Sequence, residues 1–327
     1  MAFRLKLVPA NTTFDFFRYW KITFGVSVAA ALIGIVSLLS QGLAYGIDFQ
    51  GGTSIRTETA TPVDIGAWRN ALIALDLGDV TITEVFDTNF RPDQHVAQVR
   101  IQADDDTGIS APETINRVET ALLAIDSTVQ FTAVESVGPK VSAELIWTAF
   151  ISVMAASVGI LIYIWLRFEW QFAVGAIIAL VHDAFLTVAL WSVFQLKFDL
   201  TIVAAVLTII GYSVNDTVVI FDRVRENLIK YKAMPLKDLL NLTINETLSR
   251  TLMTSTTTLL SLIALFAFGG DVIRGFITAM IFGVVAGIYS TVYVASVVVL
   301  WLGVKRDWGK GAANGDPKAG TQFKPSA

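Results

Sequence analysis

The stretch that decides the fold runs from Leu200 to Phe221, LTIVAAVLTIIGYSVNDTVVIF, and stops at the charged pair Asp222-Arg223. It holds about twenty residues, enough for a helix to cross ~30 Å of hydrocarbon. Its only charged residue is Asp216, which stands beside Asn215. Working outward, five similar stretches occur, near 22–39, 144–166, 171–194, 251–269 and 276–302. Composition agrees with this reading. Apolar residues make up 54% of the chain and charged residues 16%, against about 25% charged in a soluble domain. The prediction is a polytopic α-helical membrane protein with six transmembrane helices.

Charge placement predicts the orientation. Arg4, Lys6, Arg18 and Lys21 precede the first span, whose apolar core is too long for a typical signal peptide and is read as uncleaved. The 222–250 loop carries Arg223, Arg225, Lys230, Lys232, Lys237 and Arg250, and the end of the chain carries Lys305, Arg306, Lys310, Lys318 and Lys324. With six spans these three segments fall on one side, which the excess of Lys and Arg marks as cytoplasmic. The acidic region between the first two spans then lies outside. The expected organisation is a cytoplasmic segment 1–21, a first helix within 22–43, an external domain over 44–143, and helices two to six over 144–303. A disordered cytoplasmic tail 304–327 follows.

The external region has a pattern of its own. Gly52–Thr59 alternates like a strand, and Thr61-Pro62 opens a helical segment reaching Leu75. Val80–Phe86 and His95–Gln102 are strand-like around a turn over Asp87–Gln94. Ala111–Ile125 is helical, with Ile115, Val118, Leu122 and Ile125 on one face, and Val129–Val137 is a last strand. The order βαββαβ predicts a small α+β, ferredoxin-like sandwich.

Chemistry-bearing residues are few. No cysteine is present, which excludes disulfides, thiolate metal sites and cysteine catalysis, and the only histidines are His95 and His182. No phosphate loop, Gly-x-Ser-x-Gly elbow or zinc spacing occurs, so no enzyme activity, metal or organic cofactor is expected. Ionisable groups inside hydrocarbon are costly and point to function. His182-Asp183 fall near the middle of the third span, and Asp216 lies toward the cytoplasmic side of the fourth. Arg250 opens the fifth span at a similar depth. Thr251, Thr254, Ser255, Thr258 and Ser261 follow it at helical spacing, as a hydroxyl stripe. A carboxylate beside a fixed cation, next to a polar stripe, suits a proton path. A static Asp216–Arg250 ion pair is the bland alternative, as is a hydrogen bond from Asp183 to a neighbouring helix. Gly283 and Gly287 suit close helix packing. The helix over Pro235–Leu248 has one apolar side, fit for the membrane surface or a partner subunit. Gly51-Gly52 allow a sharp turn from the first span into the first strand, with Asp48 placed to cap or hydrogen-bond that turn.

Several segments, in order, carry a family resemblance. Gly46-Ile47-Asp48-Phe49-Gln50-Gly51-Gly52 resembles a Gly-Ile-Asp-Phe-x-Gly-Gly signature just after the first span. His182-Asp183, Gly211-Tyr212-Ser213-Val214-Asn215-Asp216-Thr217, Phe221-Asp222-Arg223 and Thr247-Leu248-Ser249-Arg250-Thr251 follow, and Phe268-Gly269-Gly270 ends the fifth span. From residue 20 to 303 the chain resembles the SecF family of protein-export membrane subunits. The resemblance implies a SecD partner, assembly with the SecYEG channel, unfolded preprotein as substrate and protons as the coupling ion. It also implies no nucleic acid, and a bacterial inner membrane in which lipid surrounds the spans. It maps the proton path onto Asp216 and Arg250. A proton-coupled small-molecule exporter of the same superfamily is the alternative.

Overall fold

The first long helix, α1 (Trp20–Ser40), leads into a two-residue strand β1 (Ala44–Tyr45), a single-turn helix α2 (Ile47–Gln50) and the strand β2 (Gly52–Thr59). The computed structural model describes residues 12–304 apart from 78–79, 86–89, 92–93, 103–109 and 270–272, and leaves aside the side chains at 139 and 140. Arg4, Lys6, Phe86, Gly270, most of the turn expected over Asp87–Gln94 and the tail from Lys305 onward lie outside the described residues.

After β2 come α3 (Ile65–Ile73), β3 (Val80–Val85), β4 (His95–Gln102), α4 (Ala111–Ile125) and β5 (Gln130–Val137). The strands form one sheet in the order β3-β4-β2-β5, antiparallel throughout. This is the interleaved arrangement that two βαβ units produce. Register puts Ile55 opposite Val99, and Val99 opposite Ile82. Those three join Trp68 and Leu72 of α3 and Val118 and Leu122 of α4 in a closed core. One expectation shifts: α3 does not open at Thr61-Pro62 but at Ile65, capped by Asp64, whose Oδ1 accepts from the Ala67 N–H at 3.0 Å. An aspartate next to the first turn satisfies an otherwise orphaned donor, and so moves the helix start inward.

The described residues that follow are mostly helical: α5 (Pro139–Arg167), α6 (Trp170–Val193), the short strand β6 (Lys197–Phe198), α7 (Leu200–Lys230), α8 (Leu236–Phe268) and α9 (Arg274–Ser290). A π-helical segment, Thr291–Ala295, then joins α9 to α10 (Ser296–Leu302), so the last span is not the single regular helix expected. Among the described residues, six helical stretches are long and apolar enough to cross a membrane. The expected break between a surface helix and a fifth span is absent. α8 runs unbroken through Thr247–Thr251, because nothing between Leu236 and Phe268 is glycine or proline. Its first half is covered by this chain itself. Asn227 donates to Thr243 Oγ1 and to Glu246, and Arg223 pairs with Glu246 at 2.8 Å. On the other side the N-terminal residues bind it: the Phe14 and Phe16 N–H groups donate to the side chains of Asn245 and Asn241.

Lipid tails are as apolar as leucine, so helices in a bilayer associate through close fit and polar contacts. Gly283 of α9 illustrates the fit. A Cβ there would lie 2.3 Å from the Ile209 side chain of α7. α5 is the opposite case. The apolar window of its span has no buried residue, and Trp147, Phe150, Ile151 and Ile162 face outward.

Candidate functional site

α7 has two unlike faces. Ile202, Ala205, Ile209, Ser213, Asp216, Thr217 and Ile220 are buried at helical spacing, whereas Ala204, Thr208, Gly211 and Asn215 are exposed. The buried polar positions meet α6 and α9. Asp183 of α6 is fully buried, and its Oδ2 accepts from Ser213 Oγ and from Ser290 Oγ, each at 2.6 Å. Its Oδ1 lies 2.9 Å from His182 Nδ1. One turn along, Thr217 Oγ1 and Thr291 Oγ1 are 3.0 Å apart, with Thr291 presented by the π-helical segment. Single π turns recur where a helix must place a particular side chain. Three helices are thereby tied by hydroxyls around one carboxylate, and a separate hydroxyl pair joins α7 to the π-helical segment.

His182 lies against the Tyr289 ring, with centroids 6.3 Å apart. Tyr289 in turn receives a hydrogen bond from Ser27 at 3.0 Å and donates to the Thr23 carbonyl of α1. His182 Nε2 is buried and has no partner among the described residues.

Asp216 differs from Asp183. It is 4% exposed, yet no hydrogen bond or ion pair reaches its carboxylate among the described residues. Arg250 acts on it electrostatically without closing an ion pair within 4.0 Å. The static pair weighed from sequence is therefore not formed. The hydroxyl stripe on α8 is also split. Thr251 and Ser255 are buried, each with an unpartnered hydroxyl. Thr254 and Ser261 are exposed and, with Thr258, donate to carbonyls of their own helix. Thr258 also receives a hydrogen bond from the Tyr212 hydroxyl of α7 at 3.3 Å. Asn215 is exposed and joins neither carboxylate.

A second polar junction lies at the sheet-domain end of the bundle. β1 pairs in parallel with β6, and the Gly46 N–H donates to the Phe198 carbonyl at 2.7 Å. A Cβ on Gly46 would stand 3.1 Å from the side chains of Asp199 and Lys197. Gly51 and Gly52 have φ of +74° and +132°, a region that L side chains rarely adopt. Asp48 does not cap its own turn. Its Oδ2 accepts from the Leu200 N–H at 3.0 Å, which opens α7, while Asp199 Oδ1 accepts from Thr201 and Ile202. Facing Asp199 from β4 is Arg100. Burial pushes its guanidinium below the ordinary value and Asp199 acts against that.

Sequence reasoning named Asp183 and Asp48 but missed the partners Ser213, Ser290, Thr291 and Leu200. Small hydroxyl residues in an apolar helix give no signal of which neighbour they face. No group of three or more His, Asp or Glu able to hold a metal occurs among the described residues.

Known proteins resemble the chain in sequence and in fold. Residues 117–305 match the family of protein export membrane proteins SecD/SecF, C-terminal, and residues 36–63 match the SecD/SecF GG motif. The protein translocase subunit SecF of Cereibacter sphaeroides is 58% identical over 323 residues, which cover 99% of this chain and 98% of that one. The SecF subunit of Pseudomonas aeruginosa is 40% identical over 292 residues, covering 89% and 92%. The crystal structure of SecDF from Thermus thermophilus, a translocon-associated membrane protein, superposes with a TM-score of 0.78 at 32% identity. It covers 90% of this chain, which corresponds to 39% of the SecDF chain. On the match of family, length and fold together, the chain belongs to the SecF family of protein translocase subunits.

Proposed function

We propose that the chain couples proton movement through its membrane bundle to protein export, with Asp216 taking up and releasing the proton and Arg250 as its counter-charge. The observation that carries this reading is the Asp216 carboxylate itself. It is buried, it lacks a hydrogen-bond partner among the described residues, and a cation stands in electrostatic range. A buried carboxylate that nothing holds in one state answers to small movements around it. The hydroxyls of Thr251 and Ser255 and the Nε2 of His182 are buried polar atoms able to pass a proton along. Asp183 belongs to the frame of the site rather than to the path.

The SecDF chain of Thermus is longer than this one, and a separate SecD subunit would supply the remainder here. The exposed stripe Ala204, Thr208, Gly211 and Asn215 on α7, with Arg250 and Thr254 on α8, is the polar membrane face such a subunit would cover. In this reading both termini are cytoplasmic and the sheet domain, within 44–143, lies outside. The domain works on preprotein leaving the SecYEG channel, and lipid surrounds α5.

The test is Asp216→Asn in the assembled complex. Proton-dependent late translocation should be abolished while assembly with SecD persists; normal secretion with a normal proton response removes Asp216 from the mechanism. A cysteine placed in the sheet domain should react with an impermeant reagent from outside. Labelling only after membrane rupture inverts the orientation.

A further inference from the structure

The signature segment Gly46–Gly52 holds a carboxylate that the proton path does not use. Asp48 lies on the single turn α2, between the first span and β2, and accepts a hydrogen bond from the Leu200 N–H, 152 residues further along the chain. That donor is among the first backbone N–H groups of α7, which have no partner within their own helix. Asp48 and Asp199 thus cap one helix end from two separate segments. The β1–β6 pairing and the Gly46–Phe198 hydrogen bond bind the same two segments at the preceding residues.

What surrounds this junction shows why it matters. Between the sheet and the ends of α6, α7 and α9 lies a cavity of about 590 Å³, lined by Arg56, Gln98 and Glu135 on one side and by Lys197, Asp199 and Arg274 on the other. The sheet does not close directly onto the helix ends there. The sheet domain enters the bundle through two covalent routes. One is β5 into α5, whose span has no buried residue in its apolar window. The other is β2 through Gly52 and Gly51 into α2. Gly51 and Gly52 have a left-handed φ, and α2 is held down at both flanks. Ser142 of α5 donates to the Ile47 carbonyl, and Asp48 accepts from α7. The first route continues into α5, whose buried residues Ser142 and Ile164 lie near its two ends. The second continues through α2 and β1 into α1, and on the way its Asp48 touches the start of α7, the helix that carries Asp216.

We infer that Asp48 is a positioning residue that pins the sheet domain to the start of α7, so that a displacement of the domain is passed along α7 to Asp216. This deepens the proton-coupling reading and rests on it for what the movement of α7 achieves. Asp216 lies sixteen residues beyond Leu200, about 24 Å along an unbroken helix. A rigid helix transmits an axial shift with little loss over that length.

The experiment uses the assembled complex in membrane vesicles with an imposed proton gradient. Asp48→Ala should assemble normally yet lower late translocation about tenfold, the order expected for a lost helix cap. Its dependence on external pH should flatten. Asp48→Asn keeps an acceptor oxygen for the Leu200 N–H and should restore both rate and pH profile. The chain has no cysteine, so Ala44→Cys with Lys197→Cys forms an uncontested pair at bridged positions, at a spacing that suits a disulfide. Oxidation of that pair in the Asp48→Ala background should recover translocation, and reduction should remove it again. Wild-type behaviour of Asp48→Ala at every pH, or a defect that the disulfide leaves untouched, overturns the proposal. Should Asp48→Ala fail to assemble, Asp48→Asn decides alone: a wild-type profile supports the pin and a defect overturns it. Asp216→Asn in the same vesicles separates the two ideas. A normal response there removes the proton reading, and the pin is then judged by the disulfide rescue.

Discussion

Asp183 and Asp216 are both buried carboxylates in the membrane bundle, on helices that pack against each other, and they are built in opposite ways. Asp183 has both oxygens engaged, by Ser213, Ser290 and His182. Asp216 has neither engaged among the described residues, and its cation stands off. A carboxylate with two short hydroxyl bonds is held in one arrangement, and moving any partner leaves a buried polar group unmet. A carboxylate without them can change its state without dismantling its surroundings. Two similar residues thus serve as frame and as moving part. The surrounding hydrogen bonds separate them, and residue type does not.

The largest test of that contrast is Asp183→Ala. It strands two hydroxyls and an imidazole, and should lower stability by about 2–4 kcal/mol, since a membrane hydrogen bond contributes roughly 0.6–1.7 kcal/mol and stranded groups add to it. Thermal unfolding in detergent measures it. Asp216→Ala, which strands nothing, should lie within about 0.5 kcal/mol of the parent; equal losses for the two variants erase the contrast. Next comes Gly283→Val, on the α7–α9 contact about two turns from Ser290. The new side chain meets Ile209 at its first carbon, and overpacking of this kind costs about 1–3 kcal/mol. Ile209→Ala in the same chain should return part of the loss. Thr217→Val removes one hydroxyl contact with Thr291 and should cost about 0.6 kcal/mol.

The smallest effect is expected where water competes for every partner. Asp126, in the sheet domain, accepts from the Thr128 hydroxyl, the Thr61 hydroxyl and the Thr128 N–H, which hold its carboxyl below the ordinary value. A depressed folded value means a contribution present at neutral pH and lost as pH falls through that value, below the ordinary carboxylate range near about 3.9. Hydrogen exchange around residues 126–128 should show Asp126→Asn less protected at pH 7. The difference should shrink toward zero in acid, and a constant difference removes the ionised carboxylate as its cause.

Much of this architecture is legible in the residues themselves. Gly52–Thr59 alternates and His95–Gln102 is rich in strand-forming residues, and they are β2 and β4 to the residue. The six apolar stretches are the six long helices, because twenty apolar residues have few alternatives to a membrane helix. The site was legible only in part. Asp183, Asp216 and Arg250 stand out as charges in apolar sequence, but Ser213 and Ser290 lie 30 and 107 residues from Asp183, and no local pattern announces them. The α8 hydroxyls share a spacing, and spacing names a face without saying what that face meets. Asp48 was read as a local cap because Leu200 is distant in sequence. The continuity of α8 is also legible: Pro235–Leu248 and the fifth span read as two helices, yet no glycine or proline separates them.

That continuity has a mechanical consequence. A helix of 33 residues is a rod about 50 Å long, which outreaches the ~30 Å hydrocarbon by some two-fifths of its length. A tilt of about 5° about its middle swings each end by about 2 Å, enough to break a hydrogen bond. Arg250 sits near that middle, and Asn241 and Asn245, which grip the N-terminal residues, sit toward one end. Any rocking of α8 about the region of Arg250 is therefore written, as a lever writes it, into the grip on Phe14 and Phe16.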